Sequence, residues 1–585
     1  MTDGKGGEGE ADLYGNALVK GEVSGQVLFS DTGLSFWGGI DPETGNVIDR
    51  GHPLFGKCIA GRILAIPAGR GSCTGSSVLL QLMINGVAPA AMIFSTREEI
   101  LTLGVFVAEE MFGPTLPVVQ LAPEMFARLA EVDRATVSDG RVLCGAGSVG
   151  VDRPHHPDTA PKPLLLSTED LALLDDGSPE ATRTAMRIII RMAELLGAER
   201  LIPVSRAHID GCIYTGPASL DFAEKLVAAG GRVAVPTTLN AISVDRMAWQ
   251  RQGTDPALSR AAAALADAYL ALGARTSFTC APYLREDSPA SGDDIAWAES
   301  NAVVYANSVL GARTMKYPDF LDALIALTGR APLAGCHIAE NRRAKLIIEV
   351  QPPQGFDDSF WPLLGYHIGS LAPTKIPAVT GLADLDPKTD DLKAFGAAFA
   401  TTSGAPMFHL VGITPEATSL KDATGQVEGL PVLTISGADL RGSWQKLQST
   451  DETAIDLVAL GNPHFSLTEI ADLARLVAGR TRAPLTRMTI TTSRATLDRA
   501  ISAGHAATLQ SFGAEFVVDA CWCTVLEPIV PPEATTILTN SGKYAHYGPG
   551  LTGKALRFAS LATCVDAACR GQVDARLPGW LVGYP

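Results

Sequence analysis

The run Ser178-Pro179-Glu180-Ala181-Thr182-Arg183-Thr184-Ala185-Met186-Arg187-Ile188-Ile189-Ile190-Arg191-Met192-Ala193-Glu194-Leu195-Leu196, followed after four residues by Leu201-Ile202-Pro203-Val204, decides the fold class. Its apolar residues recur at helical spacing, so Pro179–Leu196 is predicted as an amphipathic helix. Ser178 is placed to cap it, and Pro179 stands at the first position, where a missing N–H costs nothing. Leu201–Val204 is apolar but too short for a helix, and reads as a buried strand. Asp221–Ala229 is then predicted as helix and Gly231–Val235 as strand. The same alternation runs through the rest of the chain and predicts α/β layers built on largely parallel sheets. No internal repeat of fixed period is present.

Upstream the pattern changes. Residues 146–163 contain Pro154, Pro157, Pro161 and Pro163 and no apolar periodicity, as expected of an extended linker. The pair His155-His156 inside it is read as exposed linker rather than as a metal site. Residues 1–145 are mostly β. Short apolar runs at Ala17–Val19, Gly25–Phe29, Cys58–Ile66, Ala91–Phe94 and Val118–Leu121 are separated by turn clusters such as Asp41-Pro42-Glu43-Thr44-Gly45-Asn46. One helix, Ser76 to Asn85, follows a glycine-rich turn. The expected organisation is a small β-rich (β/β/α) barrel over 1–145, a linker over 146–163, and a large multi-layer α/β region over 164–585.

Composition narrows the function. The 585 residues exceed what one core usually organises. The formal charge of −16 repels phosphate backbones, so nucleic acid is not an expected partner. No apolar stretch approaches the roughly 20 residues that span a bilayer. The N-terminus lacks a signal-peptide pattern. Ten cysteines scattered through a long chain fit free thiols in a reducing compartment, and the expected location is cytoplasmic.

Four groups of residues can carry chemistry. Gly69-Arg70-Gly71-Ser72-Cys73-Thr74-Gly75-Ser76-Ser77 joins a strand to a helix. Its backbone N–H groups suit a carboxylate or phosphate, although it lacks the Gly-Lys-Ser/Thr ending of a P-loop. An ordinary capped turn is the alternative. Ser205-Arg206-Ala207-His208-Ile209-Asp210-Gly211 follows a strand, where ligands of α/β sheets gather. There His208 and Asp210 can orient one another for acid–base work, or simply satisfy loop backbone. Between Ala296 and Thr314, Ser300, Asn307 and Ser308 share a helix face with Val304. That polar stripe either lines a cavity or knits the helix to its neighbours. The C-terminal part adds Gly461-Asn462-Pro463-His464, Asp519-Ala520-Cys521-Trp522-Cys523 and Asn540-Ser541-Gly542-Lys543-Tyr544-Ala545-His546-Tyr547. Cys521 and Cys523 would share a face on a strand, but their one-residue gap is not that of a structural zinc site.

Taken in order, these strings resemble the aconitase X family over almost the whole chain. Ser30-Asp31-Thr32-Gly33-Leu34-Ser35-Phe36-Trp37-Gly38-Gly39 through Gly71-Ser72 looks like its swivelling small part. Ser205–Gly211, Thr279-Cys280-Ala281-Pro282-Tyr283, Trp297–Thr314, Thr414-Pro415-Glu416 and Asn540–Lys543 look like its large part. The two parts are separate polypeptides in the family's split form, and fused here, so no separate small subunit is needed. Fusion implies a hydro-lyase acting on a small molecule, cis-3-hydroxy-L-proline, to give Δ1-pyrroline-2-carboxylate. The split form implies mevalonate 5-phosphate as the alternative substrate, and a metal-free racemase or epimerase is a further rival. The resemblance implies Ser72, His208 and Lys543 as catalytic residues, with Ser72 the base or its immediate partner. It implies Ser76, Asp210, Glu299, Ser300, Asn301 and Tyr547 as substrate-binding residues. It also implies an iron–sulfur cluster with Cys280, Cys521 and Cys564 among its ligands. Here the chain departs from aconitases proper: no cysteine pair has a two-residue gap, Asn462 stands where a cysteine is expected, and no arginine follows Ser72. The cluster expected is therefore smaller than 4Fe–4S, or differently ligated.

Overall fold

The computed structural model describes residues 12–70, 73–144 and 163–584. The predicted linker, with His155 and His156, lies outside the described residues except for Pro163, and so does Ser72.

Seven strands close into a barrel: β1 (Leu13–Val19), β2 (Glu22–Phe29), β3 (Ile63–Ala65), β4 (Ala91–Phe94), β5 (Val118–Leu121), β6 (Arg134–Ser138) and β7 (Arg141–Cys144), in the order β1-β5-β4-β3-β2-β6-β7. β2 to β5 pair in parallel, and β1, β6 and β7 close the ring antiparallel. Alternation on the short strands decides what each side chain meets. Ile63, Ala65, Ile93 and Val119 fill the barrel interior, whereas Leu64 and Met92 face the outside. That outer face is covered by α1 (Gly75–Ile84) and α2 (Ile100–Met111). The predicted strand Cys58–Ile66 shrinks to β3, because the chain turns at Gly61, whose φ is +66°.

The same helices also bury their far side. α1 packs on α4 (Pro217–Ala228), and α2 packs on α3 (Glu180–Leu196). Leu79, Leu80, Phe106 and Val107 therefore share one continuous core with Ile188, Ile189, Met192 and Phe222. Each such buried side chain contributes about 1.5–3 kcal/mol relative to exposure. Arg187 pairs with Glu110 at 2.9 Å, and the Arg191 guanidinium lies 3.9 Å from the centre of the Phe106 ring across the same seam. Pro179 is itself the N-cap of α3, while Ser178, predicted as the cap, donates to Ala172 O at 3.0 Å.

Among the described residues the remaining chain forms three parallel sheets, as the alternation predicts, and one antiparallel pair of strands. The first has the order β9 (Thr237–Leu239), β8 (Ala207–Ile209), β10 (Ala296–Trp297). Gly231–Val235, predicted as a strand, is the lead-in to β9, which starts only beyond Pro236. Leu201–Pro203 is a strand as expected, but it pairs antiparallel with Arg330–Pro332 outside this sheet. The second sheet contains β11 (Leu346–Glu349), β12 (Pro377–Thr380), β13 (His409–Leu410) and β14 (Val432–Thr434), in the order β13-β12-β11-β14. The third contains β15 (Leu457–Leu460), β16 (Arg487–Thr492), β17 (Ala514–Val518), β18 (Thr536–Thr539) and β19 (Ala555–Phe558), in the order β17-β16-β15-β18-β19. Among the described residues no helix is long and apolar enough to cross a membrane.

Candidate active site

The loops after the strands of the first and third sheets converge, as ligand-binding loops of open parallel sheets do. β8 leads to Asp210, β9 to Asn240 and β10 to Glu299; β15 leads to Asn462, β17 to Cys521 and β18 to Lys543. Glu299 caps the short helix α5 (Ser300–Tyr305), accepting from Ala302 N at 2.9 Å. Its other oxygen accepts from Lys543 Nζ at 2.8 Å. Lys543 is presented by the start of α6 (Gly542–Thr552), where the Ser541 hydroxyl accepts from Tyr544 N at 3.1 Å. Both side chains are almost wholly buried. Burial opposes charge on each, but the partner outweighs it: Lys543 is held well above the usual lysine range by Glu299 and the nearby thiols, and Glu299 is held below the usual glutamate range by Lys543. Both are ionised at neutral pH, and removing one partner alone would leave a buried charge, at a cost of roughly 3–5 kcal/mol. Asn301 ties this pair to the next group, bonding Glu299, Cys280 O at 3.1 Å and the Tyr283 hydroxyl at 2.7 Å.

Beside the ion pair lies a nest of sulfur. Cys280, Cys521 and Cys523 cluster with Ala241. Cys521 and Cys523 face the same way because a turn carries them, with Thr524 N bonding back to Cys521 O at 2.8 Å; the intervening Trp522 turns into the core and donates to Leu460 O at 2.7 Å. Three N–H groups point at the sulfurs: His464 N reaches Cys280 Sγ at 3.3 Å, and the Asn462 side-chain amide reaches Cys521 and Cys523 Sγ at 3.6 and 3.7 Å. Asn462 is brought there by Gly461, whose φ of +94° and whose approach to Thr491 O leave no room for a Cβ. Contact between the thiols pushes Cys521 and Cys523 above the ordinary thiol range, so each keeps its proton until a cation displaces it.

Among the described residues no three His, Cys, Asp or Glu side chains already stand in metal-coordinating geometry. The donor set nevertheless fits an iron–sulfur group: three gathered thiols, N–H donors aimed at sulfur, and Asn462 Oδ1 buried without a partner. Cys564 does not join them. It is packed on α7 (Leu561–Arg570) in a separate apolar cluster with Leu473 and Val565, which corrects the grouping of Cys564 with Cys280 and Cys521. Cys523 packs beside Cys280 and Cys521 instead.

The other predicted residues fall into two sets. Asp210 is half-buried and bonds Asn240, Asn301 is buried against Glu299, and Ser300 is half-buried directly after Glu299. Tyr547 stands one helical turn beyond Lys543 at the rim, its hydroxyl 3.3 Å from Thr401 O. Ser76 is fully buried and donates to Cys73 O and Asp319 O at 3.2 and 3.0 Å, so it joins the barrel to the larger region. His208 is fully buried within β8, with Nδ1 2.8 Å from Thr238 Oγ1 and Trp297 beside its ring. Burial lowers its pKa to about 3. The expected pairing of His208 with Asp210 is not formed, because Asp210 bonds Asn240 instead. Asn307 and Ser308 lie where α5 runs into a π-turn, and they bond Thr314, Arg342 and Phe408, which answers the stripe's open question in favour of knitting. Asn240 is a site residue that stood in none of the candidate strings, whereas His464 and Cys523 stood in such strings without an assigned role.

Comparison with known proteins gives the same outline. Models of the aconitase X swivel domain, first domain, second domain and third domain match residues 12–144, 163–340, 344–445 and 455–570. A cis-3-hydroxy-L-proline dehydratase of Pseudomonas aeruginosa is 55% identical, covering 96% of this chain and 97% of its own length. One from Hypocrea jecorina is 51% identical, covering 97% of each. The crystal structure of Thermococcus kodakaraensis aconitase X in its holo-form superposes with a TM-score of 0.62 at 30% identity, covering 69% of this chain and all of that one. With the four domains in sequence and relatives alike from end to end, this chain belongs to the aconitase X family.

Proposed function

We propose that this chain is a hydro-lyase that converts cis-3-hydroxy-L-proline to Δ1-pyrroline-2-carboxylate. The observation that carries the reading is the buried Lys543–Glu299 pair set against the thiols of Cys280, Cys521 and Cys523. The substrate is taken from the two relatives that match throughout. It has a carboxylate, a ring ammonium and a hydroxyl on the carbon next to Cα. Lys543, always protonated here, is suited to hold the carboxylate and to stabilise the charge that develops on it as the Cα proton leaves. Asp210 and Glu299 offer acceptors for the ring ammonium. Cys280, Cys521 and Cys523 would hold the iron–sulfur group, whose chemistry is Lewis-acid assistance to the departing hydroxyl. Ser72 stays in the proposal as the base or its partner, in a small domain of residues 1–145 joined through 146–163 to a large region of 164–585. Ten free cysteines suit a reducing compartment such as the cytoplasm.

The test is anaerobic purification of the full chain, its visible spectrum, and turnover of cis-3-hydroxy-L-proline. A coloured protein that forms Δ1-pyrroline-2-carboxylate is expected, with Ser72→Ala losing turnover but keeping colour. Formation of an epimer without loss of water, or turnover of mevalonate 5-phosphate in its place, would overturn the assignment.

A further inference from the structure

His464 is 1% exposed, and every polar group it carries is in use. Its ring spans two strings of the thiol nest. Ring Nε2 lies 2.8 Å from Ala520 O, and ring Nδ1 lies 3.3 Å from Thr279 Oγ1. A carbonyl only accepts, so the ring proton is on Nε2 and the Thr279 hydroxyl donates to Nδ1. That hydroxyl is itself held by Ala281 N at 3.1 Å. Ala520 directly precedes Cys521, and Thr279 directly precedes Cys280. The first follows β17 in the third sheet; the second runs beside the end of β9 in the first sheet, Thr279 N donating to Leu239 O at 3.2 Å. A backbone bridge between Ile242 and Ala520 joins the same two sheets. His464 carries that joint to the sulfurs, its own N–H reaching Cys280 Sγ at 3.3 Å.

His464 is in turn held from a third direction. Lys393, 2% exposed, stands on the helix Thr389–Thr402, and its ammonium donates to His464 O at 3.3 Å. The same ammonium pairs with Glu469 and lies 3.4 Å from Asp390 Oδ1. Both carboxylates close on Ser466, Glu469 accepting from its N–H at 2.8 Å and Asp390 from its hydroxyl at 2.9 Å. Breaking a buried pair from one side is costly, so residues 464–466 have little freedom to move.

We propose that His464 is a positioning residue of the thiol nest, setting the spacing between Cys280 and the Cys521–Cys523 turn, with Lys393 fixing His464. Its role toward iron rests on the function proposed above. Thiols borne on two sheets can hold one metal group only if the sheets keep their distance. A planar imidazole bonded at both nitrogens is a rigid spacer, which a flexible side chain is not. Groups that orient metal ligands without touching the metal change its affinity about 10–100-fold when removed.

Two measurements on the full chain separate this role from simple stability. In the first, metal-free protein is titrated anaerobically with Cd2+, whose thiolate absorption in the ultraviolet reports binding by the thiols. His464→Ala should bind Cd2+ about tenfold or more weaker. His464→Gln, which can still donate to Ala520 O, should recover part of that loss. In the second, anaerobic holoenzyme is mixed with an iron chelator, and His464→Ala should release iron faster by about the same factor. The double variant Lys393→Met/Glu469→Gln removes both charges together and should move both readings the same way, by less. A lower urea midpoint with unchanged Cd2+ affinity and iron release would mean that His464 only stabilises the fold, and the proposal would fall. Equal losses in His464→Ala and His464→Gln would likewise sink the spacer. A wild type that binds Cd2+ but holds no iron would count against the function proposed above, and the Cd2+ comparison would still decide this one. Should His464→Ala not fold, His464→Gln and the double variant decide by the same two readings.

Discussion

A thiol binds iron only where its proton can be displaced and its sulfur is met by other donors. Cys523 meets those conditions: Cys521 is beside it, and the Asn462 amide points at it. Cys564 does not, since its surroundings are apolar, and burial together with the carboxyl of Asp358 holds its thiol well above the ordinary range. Cys523→Ser should therefore lose most bound iron, whereas Cys564→Ser should keep it, as measured by iron and sulfide per chain in anaerobic protein. Equal loss in both variants would disprove the assignment. The Cys521–Cys523 spacing was visible in the sequence, but its meaning was not. A one-residue gap matches no familiar ligand pattern, and the side on which the sulfurs fall is set by the turn to Thr524. The third thiol, Cys280, joins them through another sheet, which no local reading of residues 519–523 can supply.

Strands of two to five residues lead into this site, and their cores are as decisive as their ends. His208 lies at the centre of β8, neutral, with a folded pKa of about 3 against roughly 6.5 unfolded. The folded state then binds fewer protons than the unfolded one between those values, so this histidine makes stability fall as pH drops below about 6.5. At pH 5 the loss amounts to about 2 kcal/mol relative to pH 7.5. Asp319, Asp322, Glu98 and Glu469, each raised to about 7, act with the opposite sign in the same window. A comparison with His208→Asn cancels them. The variant should be less stable at pH 7.5 but should close the gap by about 2 kcal/mol at pH 5, as read from urea midpoints. A constant gap would refute the buried neutral state. The sequence showed that Ala207–Asp210 follows an apolar run and carries polar groups at a sheet end. It could not show which groups join the strand-end cluster, because β8 starts only after the separate antiparallel strand Leu201–Pro203, and that register is settled by pairing with β9 and β10.

At the scale of the molecule, the barrel, the parallel α/β layers and their order were legible, since periodicities of two and 3.6 are local properties of the chain. What binds the barrel to the rest was not. α1 and α2 each carry apolar residues on more than one side, and a sequence gives no address for the second side. The structure spends it on α3 and α4, making one core of what reads as two regions. That seam has a consequence for dilution. A peptide connection acts as a tether that sets the effective concentration of one part around the other. Where the shared apolar surface is this extensive, the tether contributes little until the protein is very dilute. A protease site engineered into residues 146–162 should therefore yield two fragments that co-elute in gel filtration at micromolar concentration and keep their catalytic rate. Fragments that part at that concentration would show the seam to be weak. Below the dissociation constant of the pieces, the cut protein should lose activity by mass action while the intact chain, at the same dilution, does not.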